Sequence, residues 1–229
     1  MLAYRPLDLC EISSVMGIAD DREGRDIEEL VDQCVSFIKI HNRKIAFVHQ
    51  SARDYLAGGN EQSFLIHEPF GHAEIALNCL SYLSERLEIN IARLPRPDST
   101  IPVSVKEQQP ILANIDYATT FWVDHLSAAK ESTVIKSALS KQGDVLRFLS
   151  TKLLEWLECF ILLGRLSYAV EKLRTMKDAA DVSIADPLLV SLADFPHLGY
   201  TVSLGHCARR HTVSIATLPD VDEMAITDL

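Results

Sequence analysis

Residues 35–56 read VSFIKIHNRKIAFVHQSARDYL, and the periodicity of the chain changes twice within them. Val35-Ser36-Phe37-Ile38-Lys39-Ile40 and Ile45-Ala46-Phe47-Val48 are rich in β-branched and aromatic residues. The polar residues between them, His41-Asn42-Arg43-Lys44, predict a short hairpin turn. Ser51-x-x-Asp54 then reads as a capping box that opens a helix carrying Ala52, Tyr55 and Leu56, closed by Gly58-Gly59. His49 falls at the strand-to-helix junction, where a ring held between two rigid elements can point outward.

Upstream, Asp8 can cap a helix with Glu11 as its capping-box partner, and Leu9, Ile12 and Met16 share one face. Asp20 to Gly24 reads as a turn. A second helix, about Asp26 to Cys34, turns Ile27, Leu30, Val31 and Cys34 inward and Asp26, Glu28, Glu29 and Asp32 outward. Helix, helix, hairpin, helix is the order of a winged-helix unit, here assigned to residues 1–62. It is expected to be truncated, because only Met1 to Tyr4 stand for the helix that normally precedes Arg5-Pro6.

From about Phe70 the pattern is helical. Ala73, Ala76, Leu77, Leu80, Leu83 and Leu87 mark one face of a long helix. Ile91 to Gln109 holds three prolines and no period, so it reads as a loop. Pro110 suits a first helical turn, and the face that follows is Ile111, Ile115, Ala118, Trp122, His125/Leu126 and Ala129. A third helix follows Gly143-Asp144 with Leu146, Leu149, Leu153, Trp156, Leu157 and Phe160, and a fourth carries Leu166, Val170, Leu173 and Met176. Amphipathic helices must bury their apolar faces together, so residues 63–180 are assigned to an α-helical domain and the fold class is mainly α. Residues 181–229, broken by prolines and glycines, read as an irregular or disordered tail.

At 229 residues the chain can build a sizeable core, and its formal net charge of −10 argues against nucleic-acid or anionic-membrane partners. Five widely spaced cysteines with no CxxC pair suit reduced thiols and a cytoplasmic setting. No signal peptide is evident, and the apolar run Cys159 to Leu163 is far short of the ~20 residues a membrane helix needs.

No G-x-x-x-x-G-K-[ST] or G-x-G-x-x-G appears, so no phosphate-cradling loop is recognisable. A winged helix invites a nucleic-acid-binding or transcription-related reading, the alternative here. The acids of the second helix oppose it, although Lys39, Arg43 and Lys44 put a small basic patch on the wing. Trp122 and Trp156 read as core. Asp124-His125 could suggest acid–base chemistry, but neighbours on a helix point to different faces, and a helix–helix hydrogen bond fits His125 better. His206, Cys207 and His211 form a loose H-C-x-x-x-H without two further ligands, so no metal site is assigned. No nucleophile–base pair emerges, so a small hydrolase is the weakest reading and the chain is expected not to be an enzyme.

LAYRPLDLCEI at residues 2–12, FVHQSARDYL at 47–56, FWVDHL at 121–126 and FLSTKLLEWLE at 148–158 together resemble the region after the NACHT nucleotide-binding domain of fungal NLR-like STAND proteins of the heterokaryon-incompatibility type. The resemblance covers roughly residues 2–175. It implies a winged-helix and helical segment, often leading to WD40 or ankyrin repeats, that relays nucleotide state to a downstream sensor. It further implies a nucleotide-sensing role for His49, at the place of the histidine in the family's methionine-histidine-aspartate motif. Val48 and Gln50 replace the other two residues. Implied partners are a nucleotide-binding domain or NLR-like proteins, with ADP or ATP bound only through a NACHT domain that this chain does not contain and no cofactor of its own. The oligomeric state stays open.

Overall fold

Asp8 ends an extended stretch and caps α1, Leu9–Met16, with the predicted capping box fully formed: its side chain accepts from the first-turn backbone and Glu11 reaches back to the Asp8 N–H at 3.0 Å. The computed structural model describes residues 2–18, 25–58, 68–93, 110–179, 200–203 and 214–217. Gly17, at φ +65°, ends α1 in the left-handed conformation. A Cβ there would also lie 2.7 Å from the Asn78 amide oxygen. The inward face of α1 is Ile12 and Val15, whereas Met16 is exposed. Met16 therefore departs from the expected inward face; the last turn of α1 meets α4 on the Val15 side, where Asn78 donates to the Val15 carbonyl at 3.1 Å.

Helix α2, Arg25–Gln33, buries Ile27 and Val31 but leaves Leu30 and Cys34 exposed. It packs by a narrow edge against α1 and the hairpin, so only one i,i+4 pair reaches the core. Glu29 and Asp32 are exposed as expected. The hairpin consists of β1, Ile38–His41, and β2, Lys44–Phe47, with His41 opposite Lys44. Asn42 and Arg43 both have positive φ (50° and 63°), the signature of a two-residue type I′ turn. The chain before α1 borders β2: Ile45 N–H donates to the Leu7 carbonyl at 3.0 Å, Leu9 N–H to the Arg43 carbonyl at 2.9 Å, and Asp8 bridges Lys44. Helix α3, Gln50–Gly58, follows and packs against β2, and its Tyr55 ring stacks on Phe37 at 6.0 Å.

The helical body is α4, Glu68–Arg86; α5, Pro110–Ala128; α6, Thr133–Ala138; α7, Asp144–Leu162; and α8, Leu166–Ala179. The short α6 escapes sequence periodicity because it spans barely more than one turn. Helix α5 is central and packs against α1, α4, α7 and α8. Its predicted face is buried from Ile115 to Ala129, with Ile111 half-buried, and Tyr117, Thr119, Thr120 and Val123 on its other sides are buried too, as befits a helix enclosed by neighbours. Trp122 meets Trp156 edge to face at 5.6 Å and Phe148 at 5.5 Å, and Trp156 donates to the Thr119 carbonyl at 3.1 Å. Gly143 caps α7 where a Cβ would lie 2.0 Å from the Ala138 carbonyl.

Strands β3, Tyr200–Ser203, and β4, Ser214–Thr217, pair antiparallel inside the stretch expected to be irregular. Among the described residues no helix is long and apolar enough to cross a membrane.

Burial divides the first sixty residues unequally. Helix α1 joins α4 and α5 in one core, while Leu30, Val35, Val48 and Tyr55 on the α2–hairpin–α3 unit are exposed. Each large apolar side chain left in water forgoes roughly 1.5–3 kcal/mol. Residues 25–58 should therefore exchange amide hydrogens faster than α1, and α1 should exchange at rates close to those of α5. Residue-resolved hydrogen exchange checks this, and equal rates in α1 and α2 would contradict it.

Candidate functional site

His49 is placed by the hairpin on one side and α3 on the other. The Val48 N–H donates to the Phe37 carbonyl at 2.9 Å and closes the strand pair. The next residue caps α3: His49 Nδ1 accepts the Ser51 N–H at 3.3 Å and lies 3.0 Å from Ser51 Oγ, and the Ala52 N–H donates to the His49 carbonyl at 3.0 Å. The cap is therefore His49 and not Ser51. Asp54 does not complete a box with Ser51; it accepts from Gln50 Nε2 at 3.0 Å. The helix starts earlier than the sequence suggests because an imidazole acceptor can replace a hydroxyl at this position. An Nδ1 that accepts the Ser51 N–H is unprotonated, so the neutral ring carries its proton on Nε2. His49 is exposed, and its Nε2 has no hydrogen-bond partner among the described residues.

A second cluster lies where Tyr4 and Arg5 dock on the helical body. Arg5 forms a two-pronged ion pair with Glu11 at 2.7 and 2.5 Å and lies 3.5 Å from Asp116. Arg165, just before α8, reaches the other oxygen of Asp116 at 2.7 Å and the Thr120 hydroxyl at 3.1 Å. Glu11 is 3 % exposed and Asp116 4 %. Buried carboxylates persist when paired and hydrogen-bonded, and here two arginines 160 residues apart in sequence bracket Asp116.

Tyr4 lies beside this ion cluster. Its N–H donates to Tyr117 Oη at 3.1 Å, and its ring packs against Phe121, His72 and His125. Tyr117 Oη is 2.8 Å from His125 Nε2, and His125 Nδ1 is 2.7 Å from His72 Nδ1. This supplies the helix–helix hydrogen bond expected for His125. Burial, with His72 adding to it, lowers the His125 pKa to about 3, and burial lowers His72 as well. Asp124 instead binds Lys172 at 2.6 Å, so the adjacent Asp124-His125 pair serves two separate contacts. Trp122 and Trp156 are core. His206, Cys207 and His211 lie outside the described residues, among which no group of three or more His, Cys, Asp or Glu could hold a metal.

The burial of Glu11 and the docking of Tyr4-Arg5 were not derivable from spacing: residues 5, 11, 116 and 165 meet only in the fold. Arg5→Ala would leave the Glu11 carboxylate with only the Asp8 N–H among these partners. Stranding a buried charge costs about 3–5 kcal/mol, and the part-exposed Arg5 places this case near the lower end. Arg5→Ala combined with Glu11→Gln should lose less than Arg5→Ala alone. Urea unfolding of the three proteins measures the difference, and a larger loss in the double variant would refute the buried-charge account.

The chain is 31% identical over 220 residues to the vegetative incompatibility protein HET-E-1 of Podospora anserina. The matched stretch is 88% of this chain and 16% of that protein, so the chain spans a minor part of its relative's length. No protein-family profile and no solved structure matches the chain. The match supports the NLR-like relationship read from the four sequence phrases, in a mainly helical chain.

Proposed function

We propose that this chain is a non-catalytic relay segment of a NACHT-type, NLR-like signalling protein, in which α1–α3 and the hairpin form a winged helix next to the helical body. The observation that carries this reading is its similarity over most of its length to a fungal incompatibility protein. In this reading the segment sits in the cytoplasm, pairs with a nucleotide-binding domain, and couples that domain's ADP- or ATP-bound state to a downstream sensor.

The proposed contact with nucleotide is His49. Three features support it. The ring is anchored by Nδ1 to Ser51, exposed on its outer side, and left with an Nε2–H donor. Such a donor can favour one phosphate pattern over another and bias a two-state equilibrium. The exposed Glu29 and Asp32 of α2 oppose the nucleic-acid-binding alternative, since they would face the phosphates of a duplex.

The test grafts this segment behind a NACHT domain from a relative. A hydrogen bond to a charged group is worth roughly 1.5–3 kcal/mol, so His49→Ala should speed ADP loss by about ten- to a hundredfold. His125→Ala should act only through stability, and the isolated chain should show no saturable binding of Mg-nucleotide by calorimetry. ADP retained equally by the parent and His49→Ala grafts would remove the sensor role. Salt-dependent binding of the isolated chain to duplex DNA would instead favour the nucleic-acid-binding alternative.

A further inference from the structure

We propose that Tyr4 is an acid-released latch: a proton added to the His72–His125 pair frees residues 2–4, while Arg5 stays docked as their pivot. The inference does not depend on the relay reading.

With both rings neutral, the hydrogen-bond chain can run from the Tyr4 amide to His72 with every group satisfied. The Tyr4 N–H donates to Tyr117 Oη at 3.1 Å, so the Tyr117 O–H is available to His125 Nε2 at 2.8 Å. A neutral His125 then carries its proton on Nδ1 and donates to His72 Nδ1 at 2.7 Å. Every donor has one acceptor. A further proton has two places to go on this chain. On His72 Nδ1 it would face another N–H across 2.7 Å. On His125 Nε2 it would face the Tyr117 hydroxyl proton and force that hydroxyl to turn away. Either puts a charge on rings that the Tyr4 side chain covers, 4.7 Å from His125 and 5.9 Å from His72, and hydrating that charge requires Tyr4 to leave.

The surroundings bear on the proton from every side. On α4, Glu68 favours a charged His72, and Cys79 lies near Tyr117. On α5, Asp124 is taken by Lys172 of α8, and Asp116 by Arg5 and Arg165. Glu11 of α1 is neutralised by Arg5, whose guanidinium lies 5.2 Å from the Tyr117 ring centre and opposes a positive neighbour. The nearby acids other than Glu68 are thus already paired with bases, and an imidazolium here would be poorly compensated. Burial accordingly lowers both histidines, His125 from 6.5 to about 3. A pKa lowered in the latched state means that the released state binds more protons. The latch is therefore at full strength above pH 6.5 and weakens as pH falls below it, towards about 3.

Arg5 does not share this dependence, because guanidinium stays charged and its grip is on Glu11 and Asp116. Release should stop at Arg5. The Leu9 and Ile45 amides, bonded to the Arg43 and Leu7 carbonyls, lie beyond the pivot and serve as internal references.

Residue-resolved amide exchange at pH 7 and pH 5, each corrected for the intrinsic rate, tests the proposal. For one titrating ring, protection of the Tyr4 amide should fall about tenfold or more between these values, while Leu9 and Ile45 change little. In His72→Gln/His125→Gln, which has no ring to titrate, the Tyr4 difference should vanish. Unchanged Tyr4 protection in the wild-type chain, parallel loss at Leu9 and Ile45, or a persistent fall in the double variant would each overturn it. The wild-type measurement decides the matter even if the double variant does not fold.

Discussion

The buried ion cluster of Glu11, Arg5, Asp116 and Arg165 is the constraint on which the arrangement of this protein turns. Two carboxylates almost closed to water can stay ionised only with cations in place. Arg5 comes from the extended stretch before α1, and Arg165 from the short connection between α7 and α8. Satisfying both therefore draws distant parts of the chain onto α5 at once. Through Arg5 the cluster ties α1 to α5, because Glu11 is both a capping-box residue of α1 and a partner of the arginine that reaches Asp116. One carboxylate thus performs a local and a long-range task.

The consequence is an uneven distribution of strength. Around α5, edge-to-face contacts among Trp122, Trp156, Phe148 and Phe160 fill the core of the body. The α2–hairpin–α3 unit has few buried side chains, chiefly Ile27, Val31 and Ile45. It is tied on through the backbone, by the Leu7 and Arg43 carbonyls, more than by packing. A lightly packed unit attached to a firm body opens locally before the body does.

Histidine appears in two opposed settings. His49 is exposed, with one nitrogen fixed as an acceptor by Ser51 and the other carrying a donor. His125 is enclosed, kept neutral by burial, and aligned by Tyr117 and His72. The first setting suits an outward donor to a charged group; the second favours the neutral ring and resists a proton. Residue type alone does not separate these roles; water access and the bonding of the second nitrogen do.

The sequence by itself determined the local features, because each depends on residues within a few positions of one another. The Asp8–Glu11 capping box, the hairpin turn at Asn42-Arg43, the start of α5 at Pro110 and the apolar face from Ile115 through Trp122 to Ala129 are all of this kind. Only the tertiary structure decided which faces have a neighbour. Leu30, Cys34 and Met16 match an inward pattern yet are exposed, since α2 and the end of α1 present too narrow an edge to cover them. Tyr117 and Val123 lie off the predicted stripe yet are buried, since α5 is enclosed on several sides. The cap at His49 was likewise missed, because its nitrogen does the work that spacing assigned to a hydroxyl. The pairing of Arg5 with Glu11 and Asp116 carries no sequence period, because charges that meet across 111 residues, as Arg5 and Asp116 do, are brought together only by the folding of everything between them.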